Sequence, residues 1–232
     1  MNAKYQRMCA WSGIVLSALF GLGLWPVANF FPPHAPTLSA TDIATIYQQN
    51  TNGIRLGMAI LILGGGFFAP FIAVVAYQIR RIERGHPLMT YIVLIMGTGN
   101  VLFFFFAPLI WTAIAFRPDH AADLMQFAND LGWITFIMGI SPFVFQVLSV
   151  GFAIMGDKSQ HPIFPRWVAY LNFWLAVLTL PSLMLTFFKI GPFAWNGLLA
   201  FYVPAGGFFV WIFVMFFAVL KAVDREEKEA AV

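Results

Sequence analysis

Residues 89–116 read MTYIVLIMGTGNVLFFFFAPLIWTAIAF, with no Asp, Glu, Lys, Arg or His anywhere in the run. A helix rises about 1.5 Å per residue, so this stretch is longer than the ~30 Å hydrocarbon core of a bilayer needs. The reading is a membrane-spanning helix that tilts or carries one end into the interface. Working outward, five more stretches qualify, at 9–31, 54–79, 131–155, 167–188 and 196–220, and none of the six holds an Asp or Glu. The expected fold class is therefore all-α: one transmembrane domain over 1–232, a six-helix polytopic bundle.

The composition agrees. Of 232 residues, 60% are hydrophobic, 18% aromatic and only 10% charged, and the mean hydropathy is +0.80. A soluble domain carries about 25% charged residues, so a soluble enzyme, a disordered tail and a disulfide scaffold are all excluded. Thirteen Lys and Arg against ten Asp and Glu is too small an excess for a nucleic-acid footprint. It reads instead as topology. With the N-terminus inside, the inner segments hold Lys4, Arg7, Arg80, Arg81, Arg84, Lys158, Arg166, Lys221, Arg225 and Lys228, and the outer ones only Arg55, Arg117 and Lys189. The positive-inside rule then places both termini in the cytoplasm. Residues 9–31 outrun a signal-peptide core and lack a small-x-small cleavage site, so they are expected to stay as a first helix. Cys9, the single cysteine, reads as a free thiol at the inner boundary.

The outer loops are 32–53 and 117–130. In the first, Ser39 followed three residues later by Asp42 imitates a capping box, and Ile43, Ile46 and Tyr47 share a face. A short amphipathic helix from about 40 to 49, lying on the outer interface, is expected. The second loop gathers Asp119, His120, Asp123 and Asp130, with helical spacing at Ala122, Met125 and Asn129, so it should wind into the fourth span. Trp25, Trp111, Trp133 and Trp195 fall toward the outer side and Trp11 and Trp167 toward the inner, as an interfacial belt would have them. Trp174 and Trp211 lie deeper, where a ring can stack on a ligand. The charged tail at 224–229 reads as a solvated helix end.

Candidate site residues follow from what is expensive in hydrocarbon. Every span has a proline (Pro26, Pro70, Pro108, Pro142, Pro181, Pro204), and each bends a helix and frees a carbonyl. Bent helices that splay on the outer side would enclose a cavity. Asn100, Gln146 and Asn172 are the amides within spans, with Thr98, Ser141 and Ser182 as minor polar members. They can bind a polar group or knit helices together, but cannot act as acids or bases. Arg55, a cation at the start of a span, could snorkel or pair with Asp130 at a cavity mouth. With Trp174, the candidate ligand-binding set is Arg55, Asn100, Asp130, Gln146, Asn172 and Trp174. No span carries a histidine, which argues against a membrane cytochrome or a histidine-cluster oxygenase. His34, His120, Asp119 and Asp123 lack a recognisable metal spacing, and no phosphate loop, nucleophile elbow or zinc-protease helix is present. No cofactor or catalytic residue is expected. Gly64, Gly65, Gly66, Gly206 and Gly207 are small-residue positions where helices can approach.

Six segments resemble a family of uncharacterised bacterial integral membrane proteins of similar length. They are Ile54-Arg55-Leu56-Gly57-Met58, Gln78-Ile79-Arg80-Arg81-Ile82-Glu83, Ala115-Phe116-Arg117-Pro118-Asp119, Asn129-Asp130-Leu131-Gly132-Trp133, Phe164-Pro165-Arg166-Trp167 and Lys189-Ile190-Gly191-Pro192-Phe193-Ala194-Trp195. The resemblance implies a polytopic inner-membrane protein and brings no established activity with it. Three functions compete. The first is binding or moving an apolar small molecule or lipid. The second is an accessory subunit that docks a membrane protein partner or a second copy, and the third an enzyme with its site at the outer boundary.

Overall fold

The computed structural model describes residues 2–83 and 85–230. Among them there are helices, turns and connections but no strand. The helices are α1 (Ala3–Leu22), α2 (Ala40–Gln49), α3 (Thr51–Gly66), α4 (Phe68–Ile82), α5 (Leu88–Phe116), α6 (Ala122–Met138), α7 (Ser141–Gly156), α8 (Arg166–Thr179) and α9 (Val203–Ala230). Three tighter or wider turns extend them: a π turn at Gly23–Val27, a 3-10 stretch at Leu180–Thr186 and a π turn at Leu198–Tyr202. Joined, they form six stretches long and apolar enough to cross a membrane: Ala3–Val27, Thr51–Ile82, Leu88–Phe116, Ala122–Gly156, Arg166–Thr186 and Leu198–Glu229. Arg84, one of the cations used in the charge argument, lies outside the described residues.

Prolines decide where regular helix gives way. Pro26 lies in the first π turn, Pro181 begins the 3-10 stretch, and Pro142 and Pro204 open α7 and α9 just after a break. The second span breaks at Phe67, between the Gly64-Gly65-Gly66 run and Pro70. Only Pro108 sits inside an unbroken helix. The fourth span starts at Ala122, since the segment carrying Ala122, Met125 and Asn129 winds into it as their spacing reads, and Asp123 occupies the first turn, where a carboxylate complements the helix dipole. The expected loop 117–130 therefore shrinks to a short turn.

Close helix approach comes from only some of the glycines. A Cβ on Gly65 would collide with Phe104, and one on Gly97 with Ile72, so α3 and α4 pack tightly on α5, whereas Gly66 and Gly206 face open space. Rings fill the interior: Phe68, Phe71, Phe143 and Trp211 interlock, and Phe20 meets Phe104, Phe136 and Phe209. The outside is equally apolar. Trp11, Trp25, Trp167, Phe116, Phe127 and Phe187 are all more than half exposed, as expected of a surface whose solvent is lipid. Trp111, Trp133 and Trp195, placed in an interfacial belt by the sequence reading, are buried. Trp111 and Trp133 pack edge to face at 4.9 Å, and Gly132, which has no side chain, leaves room for the Trp111 indole.

The end carrying both termini is held by charge. Arg7 pairs with Asp224 at 2.8 Å and with Glu227, and Arg81 pairs with Glu226 at 3.3 Å. Beside them Gln78 donates to Gln6 at 2.6 Å, and Gln6 donates to Glu226 at 3.0 Å. The tail is thus no free solvated end: it closes the first, second and last spans together. Isolated surface pairs contribute little, but this network is anchored on two fully buried amides, Gln6 and Gln78.

The opposite end is capped by α2. Its capping box forms as the sequence reads, with Asp42 N donating to Ser39 Oγ at 3.2 Å and Ser39 N donating to Asp42 Oδ2 at 3.0 Å. Ser39 holds the Asp42 carboxyl below its ordinary value. The apolar face of α2 does not lie on the interface, as expected from its amphipathic pattern, but buries Ile43, Ala44 and Tyr47 on the bundle, where Tyr47 donates to Asn129 Oδ1 at 3.2 Å. His34 lies at the edge of this cap. Its Nε2 donates to the Asn29 carbonyl at 3.2 Å, its ring meets Phe30 at 4.9 Å, and its own carbonyl accepts from Trp195 Nε1 at 2.7 Å.

Burial lowers the His34 pKa from its ordinary 6.5, and the Asn29 carbonyl opposes only part of that. A depressed folded-state value means that the neutral ring stabilises the cap fully above pH 6.5 and that this contribution is lost as pH falls through the lower, folded value. Amide hydrogen exchange over residues 32–49, corrected for intrinsic rate, should accelerate on acidification below that pH. In His34→Phe, which keeps a ring against Phe30, the acceleration should vanish.

Candidate functional site

The bent segments converge on a cavity of about 370 Å³. An apolar cavity of about 150 Å³ is enough to take a benzene, so this one admits a larger guest. Its walls come from each site of helix disruption but one. Leu24 and Trp25 belong to the first π turn, Gly139 and Ile140 to the break between α6 and α7, Ser182 to the 3-10 stretch and Ala200 to the last π turn. The Phe67 break contributes nothing. Phenylalanines complete the lining, among them Phe103, Phe136, Phe143 and Phe208.

The cavity exists because the prolines withhold backbone donors. Pro204 has no N–H for the carbonyl of Ala200, four residues back. That carbonyl accepts instead from Ser182 Oγ at 2.8 Å, which ties the 3-10 stretch to the start of the last span. Gly21 and Trp25, one turn apart on the first span, are exposed and line the cavity, so its mouth lies on the flank of the bundle. A Cβ on Gly21 would meet open space.

Three polar side chains line the walls: Asn100, Thr179 and Ser182, all buried. No ionisable side chain does so. Asn100 donates through Nδ2 to Gln146 Oε1 at 2.6 Å, bridging α5 and α7. Gln146 is fully buried behind it, and its Nε2 finds no acceptor. Thr179 donates to the Leu175 carbonyl at 2.9 Å.

Of the six candidate residues, Asn100 and Gln146 come together, one on the cavity wall and the other behind it. Asn172 is engaged elsewhere: it accepts from Trp211 Nε1 at 2.9 Å and donates to the Val168 carbonyl at 2.7 Å. Arg55 does not pair with Asp130. Its Nε donates to the Ala115 carbonyl at 2.9 Å, Nη2 to the Phe116 carbonyl at 3.2 Å and Nη1 to Asn52 Oδ1 at 3.3 Å. Arginine at that spot meets the last carbonyls of α5, which have no intrahelical donors and carry the negative end of the helix dipole. Asp130 is half-buried beside Lys189. Trp174 is 63% exposed on the outer surface and cannot stack in the cavity. Sequence reasoning passed over Thr179 altogether and gave Ser182 a minor place. The signal for Ser182 was its position next to Pro181, and for Thr179 its spacing one turn earlier.

No group of three or more His, Cys, Asp or Glu able to hold a metal occurs among the described residues. Comparisons with known proteins are silent: no family model, curated protein or solved structure matches the chain.

The two kinds of amide separate by mutation. Asn172→Leu strips Trp211 of its acceptor and should cost about 1–3 kcal/mol, the usual penalty of an orphaned buried donor, read as a lower thermal unfolding midpoint with the cavity unaffected. Asn100→Leu and Gln146→Leu should each cost a similar amount. Together they should cost less than the sum, because the double variant leaves neither amide orphaned.

Proposed function

We propose that this chain is a multi-pass protein of the inner (plasma) membrane that binds an apolar small molecule or the tail of a lipid in the cavity between its bent spans. The observation that carries the reading is the cavity itself: about 370 Å³, walled by aromatic rings, free of ionisable side chains and open on the flank. Desolvated aromatic surface with a few placed polar atoms is the usual composition of a site for an apolar ligand. A mouth on the flank faces hydrocarbon, where such a ligand is already dissolved. Both termini lie in the cytoplasm in this reading, supported by the excess of cations on the segments at the terminal end. The cavity then opens toward the outer half of the bilayer.

Two experiments bear on this. A fluorescent protein that folds only in the cytoplasm, fused after the last span, should light up, and an export-dependent reporter at the same place should stay silent; the reverse pattern would overturn the orientation. Native mass spectrometry of the protein, extracted gently from its own membrane, should find a bound apolar molecule. Gly21→Trp, which puts an indole into open space at the mouth, should lower that occupancy several-fold without lowering the unfolding midpoint. Unchanged occupancy would sink the flank mouth.

A further inference from the structure

We infer that the occupant of the cavity is an uncharged amphiphile whose buried end carries a hydroxyl, that is, a long-chain alcohol. The inference rests on the cavity-binding reading above and deepens it. Three observations point to it.

The first is the absence of charge. No Lys, Arg, His, Asp or Glu lines the cavity, so a carboxylate, phosphate or ammonium inside would lose its hydration without gaining a counter-charge. The occupant's buried part is neutral.

The second is the direction of the hydrogen bonds already made. A hydroxyl has one hydrogen to give and two lone pairs. Ser182 spends its hydrogen on the Ala200 carbonyl at 2.8 Å, and Thr179 spends its own on the Leu175 carbonyl at 2.9 Å. A carbonyl can only accept, so these directions are fixed. Ser182 has no exposed surface, so what the wall presents to the cavity is the lone pair of Thr179, and it calls for a donor on the ligand.

The third is the amide pair. One N–H of Asn100 is spent on Gln146 at 2.6 Å. Whichever way round the two amides are oriented, a donor and an acceptor are left over between them, and Gln146 Nε2, fully buried, has no partner of its own. An alcohol is both donor and acceptor. Its O–H can give to Thr179, and its oxygen can receive the spare N–H of Asn100, the amide of the pair that lines the cavity. A hydrocarbon satisfies none of these groups, and a ketone or ester cannot give to the hydroxyl lone pairs.

The test uses dodecanol, dodecane and dodecanoate, offered at neutral pH to the full chain in lipid nanodiscs and read by native mass spectrometry. Dodecanol should bind about tenfold more tightly than dodecane, the upper range for one net hydrogen bond, and dodecanoate should bind more weakly than either. Ser182→Ala leaves the Ala200 carbonyl bare and can fail to fold, so the informative variant is Thr179→Val, which removes the lone pairs and keeps the shape. It should erase most of the alcohol's advantage while leaving dodecane unchanged. Equal binding of dodecanol and dodecane, or tightest binding of dodecanoate, overturns the inference and leaves the apolar cavity reading standing. If none of the three binds, both fall.

Discussion

In hydrocarbon no water is available to complete a broken backbone, so every N–H and C=O within a span must find a partner inside the protein. This chain places a proline in each span and then has to resolve the consequence. Around Pro204 the resolution is a serine from a neighbouring span, since Ser182 Oγ donates to the Ala200 carbonyl. Around Pro108 no neighbouring span is spread: α5 stays unbroken, and Thr112 Oγ1 donates to Pro108's own carbonyl at 2.7 Å rather than to that of Phe104, which the proline leaves without its N–H. At the end of the first span Asn29, at φ 58°, turns the chain, and Asn50 donates to the Ala28 carbonyl at 3.0 Å. The left-handed position suits asparagine better than most residues with a side chain. Where the repair comes from another span, the helices are spread and bridged, and the cavity is the space between the bridges.

The same rule sorts the polar residues by what they do. Asn172 has both its nitrogen and its oxygen engaged, with Val168 and Trp211, and lines no cavity; it is a joint between α8 and α9. Arg55 ends α5 by taking the Ala115 and Phe116 carbonyls. Gln6 and Gln78 join the terminal-end ion pairs to the first and second spans. Asn100 and Gln146 are different, because their bond to each other leaves hydrogen-bonding capacity at the wall of a cavity. The distinction lies in the count of donors and acceptors around each side chain, and not in burial, which all of these amides share.

That count is what the sequence could not supply. The number of spans was legible, because a run such as residues 89–116 has one physical reading. So was α2, whose start is fixed by two residues that must bond each other. Which face of a span looks inward was not legible. In a soluble helix the polar side announces itself, but here lipid and core are equally apolar, and Trp174 and Trp211 look alike in sequence. One is 63% exposed and the other fully buried. The belt rule failed for Trp111, Trp133 and Trp195 for a related reason: it places a tryptophan by depth, and these rings are at the expected end of the bundle but turned inward. Arg55 was placed correctly along the chain, but of its two readings the pairing with Asp130 does not form, since the carbonyls that end a neighbouring helix leave no mark in a list of residue types.

Access follows from the two ends. At the terminal end Arg7, Arg81, Asp224, Glu226 and Glu227 draw the first, second and last spans together. At the other end α2 sits over a layer of rings, Phe30, Tyr47, Trp111 and Trp133, each with essentially no exposed surface. A solute coming from water would have to part that layer, in which Phe30 alone packs against Tyr47 at 5.9 Å, Trp111 at 5.1 Å and Trp133 at 5.8 Å. The exposed rim at Gly21 and Trp25 asks for no such rearrangement. A molecule that partitions into the bilayer reaches it by lateral diffusion, and one that prefers water does not. The same absence of charge that lets these helices cross a membrane therefore also selects, by partition, what can arrive at the cavity between them.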